Sequence, residues 1–597
     1  MNNRIDSKSR FISLLFSVSL PLVTLLIAPN LNDVFSLAKF LILCFLGLVL
    51  LFVQISITNK ESIQRNKTGI FLVSLFICVH LYLSLSTDQT YRAFIGYYGR
   101  NNGFFEYLFF AIFLVSITIS GTRLSTEKLL SYLNVTVTLV SVYAIFQSFN
   151  FDLVKYVPGE FREVTTLGNV NFSSALIGMS VPVSLWKIMV SQSSKFKLCF
   201  VGLLIINLYG LIRINSTQGK ILAVFGCVFF LGLWLYHKNK IYFKLYSLGF
   251  LLIGAFSIFG LFQKGPFGNL VYESSISFRG DYFRAAWRMF LNDPLSGVGI
   301  ESFSDFYLRN IDLATISRVG AESTTQYAHN IFLQFMATGG LLLTIPYLFL
   351  VLYISFKAIR LQNTLDPDER ILGYSIISIW FLYLAQLQIS IEHPALGLFG
   401  WIVGGLILNL GKRSSDEISS LKFNFGLKSS KNKFVMFLSA PIMMIFLFLA
   451  FNSLMADANL SKFNSNLQPS LQNFRNEIND RNSFENYYRV SAAVKLANSG
   501  NLNGAYILLS EAVDKNQNDF DAVYILAQVS NLMGKKDMEV IFREKSFFLN
   551  PYLDDNIYKL ALVYQELNQV SKLNNLISKV SSRKGSSEIL IRLENLV

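Results

Sequence analysis

The sequence is poor in the residues that build most soluble catalytic centres. Only 15% of its 597 residues are charged, and it has four cysteines and four histidines. Cys44, Cys78, Cys199 and Cys227 all fall inside apolar runs, and none belongs to a CxxC pair. Neither a disulfide framework nor a thiolate zinc site is implied. His80 and His237 sit in or beside apolar runs where packing accounts for them, which leaves His329 and His393 at polar turns.

Apolar residues are abundant: 52% of the chain is hydrophobic and its mean hydropathy is +0.44. They fall in runs of roughly 18–25 residues, long enough at 1.5 Å per residue to cross about 30 Å of hydrocarbon. About thirteen such runs are read, at 11–28, 34–57, 69–86, 104–121, 128–149, 170–190, 196–213, 219–236, 242–262, 330–356, 371–390, 394–410 and 433–452. The weakest are 394–410, which is short, and the pair 196–213 and 219–236, divided only by a short polar turn. The first run follows Arg4, Lys8 and Arg10 and looks like a signal peptide. No small-residue cleavage site follows it and the next run begins within a few residues, so it is read as a span.

The net charge of +14 would suit a nucleic-acid binder, but its placement argues otherwise. With the N-terminus cytoplasmic, the inside segments hold Lys60, Arg65, Lys67, Lys187, Lys195, Lys197, Lys238, Lys240, Lys244, Lys357, Arg360, Arg370, Lys412 and Arg413, among others. The short outside loops hold few: Arg92, Arg100, Lys155, Arg162, Arg213 and Lys220. That asymmetry is the positive-inside bias, so the charge reports topology and no nucleic-acid partner is expected. An odd number of spans puts the C-terminus outside, together with the long loop 263–329.

After Phe451 the chain turns polar and rich in asparagine. Ala493, Ala527 and Ala561 recur every 34 residues; so do Gly500, Gly534 and Asn568, and Val490, Tyr524 and Tyr558. A 34-residue period with small residues at fixed helix positions resembles the tetratricopeptide repeat, with the glycine in the turn between two close-packed helices. The expected division is 1–454 for the membrane domain and 455–597 for the repeats. Residues 455–484 are read as a further degenerate repeat or a linker. Such arrays bind rather than catalyse, so a protein partner on the repeats is one expectation.

The most informative segment is "RGDYFRAAWRMFLNDPLSGVG", Arg279 to Gly299, between two apolar stretches. Over Asp281–Asn292, Phe283, Ala286, Trp287, Phe290 and Leu291 make one helical face, while Arg284 and Arg288 lie on another. Asn292-Asp293-Pro294 then stops the helix. The pattern suits a helix in the membrane interface, with Arg279 outside it. Other outer-side cations run against the topological bias: Arg100 in "GYYGRNNG", and Arg213 and Lys220 in "RINSTQGK". Guanidiniums meeting at a water–lipid boundary suit a diphosphate, and a lone His beside them can move a proton near neutral pH.

Taken together, "SFRGDYFRAAW…NDPLSGVG" followed by "AHNIFLQFMATGG" resembles the central signature of the O-antigen ligase and O-antigen polymerase family of bacterial membrane glycan transferases. "TTLGNVNFSSALIGMSVPV" is similar to its Gly-x-x-Asn segment, here with Asn169 and Asn171, and "GYYGRNNGFFEYL" to its Arg-x-x-Gly stretch. The resemblance implies an all-α polytopic bundle in the cytoplasmic membrane. It implies inverting transfer of a glycan from an undecaprenyl-diphosphate carrier to an acceptor hydroxyl on a lipid, a protein or a glycan, without metal or cofactor. Ligase, polymerase and protein O-oligosaccharyltransferase stay open alike. It gives Arg279 to the leaving diphosphate, with Arg284 behind it, and His329 to the acceptor as base or orienting group. Asn330 and Glu322 are supporting candidates. One departure stands out: the turn before the eighth span usually carries Ser-Arg-Gly, and here "STQGK" puts Gln218 where the arginine belongs, leaving Arg213 or Lys220 to replace it. The competing functions are a lipid-linked-oligosaccharide flippase, which needs polar groups at mid-membrane and an inverted repeat that the sequence does not display, and a non-catalytic scaffold, which leaves Arg279 and His329 unexplained.

Overall fold

The computed structural model describes residues 7–57, 63–64, 66–120, 123–152, 163–261, 274–367, 369–410, 430–582 and 587–596. Among them every regular element is helical. Of the charged residues used to assign topology, Arg4, Lys60, Arg65, Lys155, Arg162, Lys412 and Arg413 lie outside the described residues, as does part of the loop 263–329.

Among the described residues, nine helices are long and apolar enough to cross a membrane, including Val170–Val190, Ser194–Ile214, Thr217–Lys238 and Ile331–Thr364. Three apolar helices, Phe11–Leu25, Phe104–Ser120 and Pro394–Leu410, are shorter. Lys240–Leu261 occupies the place of the remaining expected span. The chain is an all-α, multi-pass membrane protein. Pro394–Leu410 is apolar all round because it runs through the middle of the bundle and is buried along nearly its whole length. Its glycines let neighbours close in: a Cβ at Gly400 would stand 2.5 Å from the Tyr383 ring, and one at Gly405 would stand 2.0 Å from Ile117 Cγ2. Ser194–Ile214 and Lys240–Leu261 lie at the periphery, with Ile205, Ile212, Leu245 and Leu251 exposed where lipid would cover them.

The loops expected to share one side do meet on one face. Asp33 and Tyr98 both bond Asp457, Ser216 bonds Asn171, and Arg100 reaches Gln326. The Pro294–Gly299 stretch, read from sequence as a simple stop, has a second role on this face. The helix Ile331–Thr364 is broken at Gly340, whose φ of 57° and ψ of −159° are open only to glycine. A break in a membrane helix strips backbone groups of their partners. Here the loop replaces them. Val298 and Gly299 donate to the Ala337 and Thr338 carbonyls at 2.8 and 3.2 Å, and Leu341 and Leu342 donate to Pro294 and Leu295 at 2.8 and 3.1 Å. A Cβ on Gly340 would stand 2.2 Å from the Leu295 oxygen. The expected span 330–356 is thus two helical pieces joined by a strapped break.

The helix read as Asp281–Asn292 begins earlier, at Ser274, so Arg279 lies on it rather than before it. Periodicity of apolar residues missed its polar first turns. The apolar face is divided as well. Ala286 and Phe290 are buried with Ala285, Met289, Phe303 and Tyr307, while Trp287 and Leu291 remain exposed at the edge.

The last membrane helix, Ser430–Ser465, continues unbroken through the expected boundary at 454 and 455. Its end packs with Phe474 and Ile478 into one core with the first two of three helical hairpins, and this is where 455–484 finds its place. Asn486–Asn498, Phe520–Leu532 and Asp554–Glu566 begin 34 residues apart, each followed by a partner: Leu502–Lys515, Lys536–Leu549 and Val570–Ser581. Ala493, Ala527 and Ala561 are fully buried between helices. Gly500, Gly534 and Asn568 all take left-handed conformations in the turns; Asn is the side chain that best tolerates that region, which is why it can stand for the third glycine.

Candidate active site

His329 stands at the head of the broken helix. Asn330 caps that helix, its side chain accepting from Phe332 N and Leu333 N at 3.0 Å each while its amide donates to Gln388. The residue after the histidine therefore sets the backbone. Gln334 Oε1 holds Ala328 N at 2.9 Å from the other side. Between these ties His329 sits at φ 56°, a conformation that costs a non-glycine residue about 1–3 kcal/mol and persists only where the surroundings impose it.

The imidazole stacks on Tyr282 of the helix Ser274–Asn292, with centroids 5.3 Å apart and planes at 29°. That contact ties the histidine to the helix bearing Arg279. Burial, with the positive charges of Arg279 and Arg100, pushes the His329 pKa down to about 4. The ring is neutral at pH 7 and lies within reach of both positive charges. Arg100 also lies over the Phe172 ring at 5.9 Å and reaches Gln326 Oε1 at 3.3 Å. Among the described residues it forms no ion pair, and burial lowers its pKa.

The other expected cations are placed differently. Arg284 is bound to Asp281 and to Asp312, the latter at 2.9 Å, and Arg288 shares Asp312 at 3.0 Å. These guanidiniums pin the helix to the segment Leu313–Val319, and their charge is already compensated, so Arg284 is not a spare cation behind Arg279. Arg213 donates from Nε to Ser148 Oγ at 2.9 Å and reaches the Ser148 carbonyl, so it caps the helix Arg123–Ser148. Lys220 bonds Asn215 Oδ1 at 2.7 Å on the exposed side of its turn. Neither fills the place of the missing arginine. Gln218, which occupies that place, is buried with both ends of its carboxamide lacking a hydrogen-bond partner among the described residues. Asn169 caps the helix Val170–Val190 through Asn171 N, and Asn171 Oδ1 accepts from Ser216 Oγ at 2.9 Å. Both asparagines organise the turns around Phe172, against which the buried His393 ring packs at 4.8 Å. Glu322 is exposed on the wall of a large chamber described below.

A small cavity of about 20 Å³, room for one water, lies behind His329 and is lined by Glu301, Tyr327, Asn330 and Glu392 among others. Sequence reasoning passed over both carboxylates. Glu301 accepts from the Tyr327 hydroxyl at 2.6 Å and the Tyr97 amide at 3.3 Å, and burial pushes its carboxyl up to about 7 despite those bonds. Glu392 accepts from Tyr383 at 2.6 Å and is likewise pushed up to about 7 by burial. The signal for Glu301 was only its place directly after the Pro-x-x-Gly-x-Gly stretch; Glu392 announced itself only as the residue before His393.

A neutral imidazole within the field of two guanidiniums, with an ionisable carboxyl one small cavity away, can stabilise a departing anion and relay a proton. Residues 202–348 match the family model described as O-antigen ligase. This stretch is an O-antigen ligase domain. It contains Arg279, His329, Asn330, the helix break at Gly340 and its strap, while Arg100, Asn171 and Glu392 come to it from outside the matched residues. No curated protein matches the chain. This match supports glycan transfer in general. The described residues hold no group of three or more metal-ligating side chains.

Proposed function

We propose that this protein transfers a glycan, with inversion, from an undecaprenyl-diphosphate carrier to an acceptor hydroxyl at the outer face of the bacterial cytoplasmic membrane. One observation carries the reading: Arg279 and Arg100 converge on a neutral His329 inside an O-antigen ligase domain. The acceptor hydroxyl attacks the sugar's anomeric carbon from the face opposite the diphosphate. Its proton passes to His329, and the C–O bond to phosphate breaks with its electron pair leaving on the diphosphate. Charge grows on that leaving group in the transition state, so fixed guanidiniums lower the barrier rather than merely tightening binding. Burial disfavours the imidazolium, and the two arginines add to that effect. A bound diphosphate offsets their charge, so the base strengthens once its substrate is seated. Glu301, across the water-sized cavity, receives the proton afterwards.

Arg284, Arg213, Lys220 and Gln218 are assigned supporting roles in shaping the face, and Glu322 a place on the acceptor side. The helical hairpins are read as tetratricopeptide-like repeats outside the membrane. The test is complementation of a deletion strain. Arg279→Ala and His329→Ala should each abolish glycan transfer at unchanged membrane abundance. Normal glycan output from both variants ends the assignment. In the deletion strain, carrier-linked polymer with no long chains on lipid A indicates ligase, one-unit chains indicate polymerase, and an altered glycoproteome with intact lipopolysaccharide indicates protein transfer.

A further inference from the structure

The hairpins do not stand clear of the membrane domain. Asn516 Nδ2 donates to Asp305 Oδ2 at 3.0 Å, Asn482 Nδ2 to the Tyr91 hydroxyl at 3.0 Å, and Asn550 Nδ2 to the Ala321 carbonyl at 2.9 Å. Tyr98 stacks on Tyr487 at 4.0 Å, and Tyr91 stacks on Phe484 at 5.7 Å. These contacts hold the starts of the first and second hairpins against the loops that carry Arg100 and His329. They enclose a chamber of about 560 Å³, within the size range of sites that take a drug-sized ligand.

The lining has a consistent chemistry. Aromatic surface comes from both sides: Tyr97 and Tyr282 below, Phe484, Tyr487 and Phe520 above. Phe484 keeps 67% and Tyr487 39% of its surface exposed, so much of each ring stays free after stacking. Between the rings stand hydrogen-bonding groups, Gln326 and Asn486 together with the carboxyls of Glu322, Glu485, Asp519 and Asp521. The Asn486 Oδ1 is buried without a partner among the described residues. Flat rings offer the apolar C–H face of a pyranose a stacking surface, and carboxyls and carboxamides pair with its hydroxyls. The charge balance narrows the choice. Arg92 is neutralised by Asp305, and against the one remaining cation, Arg100, stand four carboxyls without an ion pair among the described residues, so the chamber leans acidic. Burial pushes Glu485 and Asp519 up to about 7, where a carboxyl both donates and accepts. His329 and Tyr282 lie on the same wall, so a hydroxyl of the occupant reaches the imidazole.

We propose that this chamber is a binding site for an uncharged saccharide, with the helical hairpins supplying half of its wall, so that the C-terminal region is part of the substrate site rather than a tether for another protein. The role of that saccharide as a reactant rests on the transferase reading; its binding does not. Saturation-transfer NMR on the detergent-purified full-length protein tests it, using uncharged trisaccharides of glucose, galactose and N-acetylglucosamine, with trigalacturonate as the acidic counterpart. At least one uncharged trisaccharide should receive saturation, and trigalacturonate should bind at least about tenfold more weakly because like charges oppose it. Phe484→Ala combined with Tyr487→Ala should remove the signal. Asp521→Lys, at an exposed position, should narrow the gap between neutral and acidic ligands even where the double variant folds poorly. Arg279→Ala, which lies outside the chamber lining, should leave binding intact; if that variant also transfers glycan normally, the transferase reading fails while the chamber stands. No binding by any uncharged trisaccharide, equal binding of trigalacturonate, or binding that survives in a folded Phe484/Tyr487 double variant overturns the proposal.

Discussion

Gly340→Ala probes the geometry on which the active site hangs. The residue joins the two pieces of the helix Ile331–Thr364 at φ 57° and ψ −159°. A side chain there is strained by about 1–3 kcal/mol before any contact is considered. The new Cβ would also lie 2.2 Å from Leu295 O, a backbone atom that cannot rotate away. Relief requires the Pro294–Gly299 strap to lift, which breaks the bonds from Leu341 and Leu342 to Pro294 and Leu295. Each is worth about 1 kcal/mol net, and more where the freed groups stay out of water. The combined expectation is a loss of about 3–6 kcal/mol. Gly249→Ala is the matched control: it sits within the helix Lys240–Leu261 with no atom inside 4 Å of the added carbon, so alanine there should be neutral or mildly stabilising. Thermal unfolding in detergent, followed by the fraction that elutes as folded protein, reads the difference. The Gly340 variant should melt about 2–5 °C below wild type and lose transfer with it. A midpoint within a degree of wild type would show that the break tolerates a side chain, and the strap argument would fall.

Other consequences are open to direct measurement. Arg100→Gln should lower transfer by about two orders of magnitude, the usual cost of removing one donor to developing charge, while Arg284→Gln, already paired with Asp281 and Asp312, should cost less than about tenfold. Arg279→Gln should raise the His329 pKa above about 4, seen by NMR titration of the ring, because one of the two cations that oppose its protonation is gone. Glu301→Gln should flatten the rise in transfer through pH 7 that ionisation of the wild-type carboxyl produces. Stability should fall as pH rises from 6.5 to 8. Glu301, Glu392, Glu485 and Asp519 hold protons near pH 7 in the native state that the unfolded chain has already released, and the melting midpoint in that window reads the sign.

The legible part of the sequence was that governed by local periodicity and by short-range charge. Apolar runs located the membrane helices because a span must satisfy its own backbone. The 34-residue period marked equivalent positions of the three hairpins: Ala493, Ala527 and Ala561 each fill a close helix contact, and the turns at Gly500, Gly534 and Asn568 share one backbone conformation. What escaped were pairings between distant segments. Arg284 looked available although Asp281 stands three residues before it, because its second partner, Asp312, is 28 residues away at the cap of Leu313–Val319. The helix start at Ser274 escaped because its first turns carry no apolar stripe. Glu301 and Glu392 looked like ordinary loop acids, because burial is a property of the assembled bundle. The docking of the hairpins onto the loops around Tyr91 and Tyr98 depends on faces that only meet once both parts have folded.

These long-range pairings also explain why the active site can sit at a helix break. A break in a membrane helix is costly unless another segment supplies its hydrogen bonds, and the strap that does so is the direct continuation of the helix carrying Arg279. The same covalent stretch therefore fixes both the piece of helix headed by His329 and the arginine that faces it. Tyr282 closes the arrangement by stacking on the imidazole. Any shift of the strap moves cation and base together, which preserves their separation. A base depressed by its neighbours demands that constancy. If Arg279 drifted away, His329 would take up a proton more readily with no substrate present, and a ring already protonated cannot accept the acceptor's proton. The left-handed backbone at His329, held by the ties through Ala328 and Asn330, keeps the ring beside those charges.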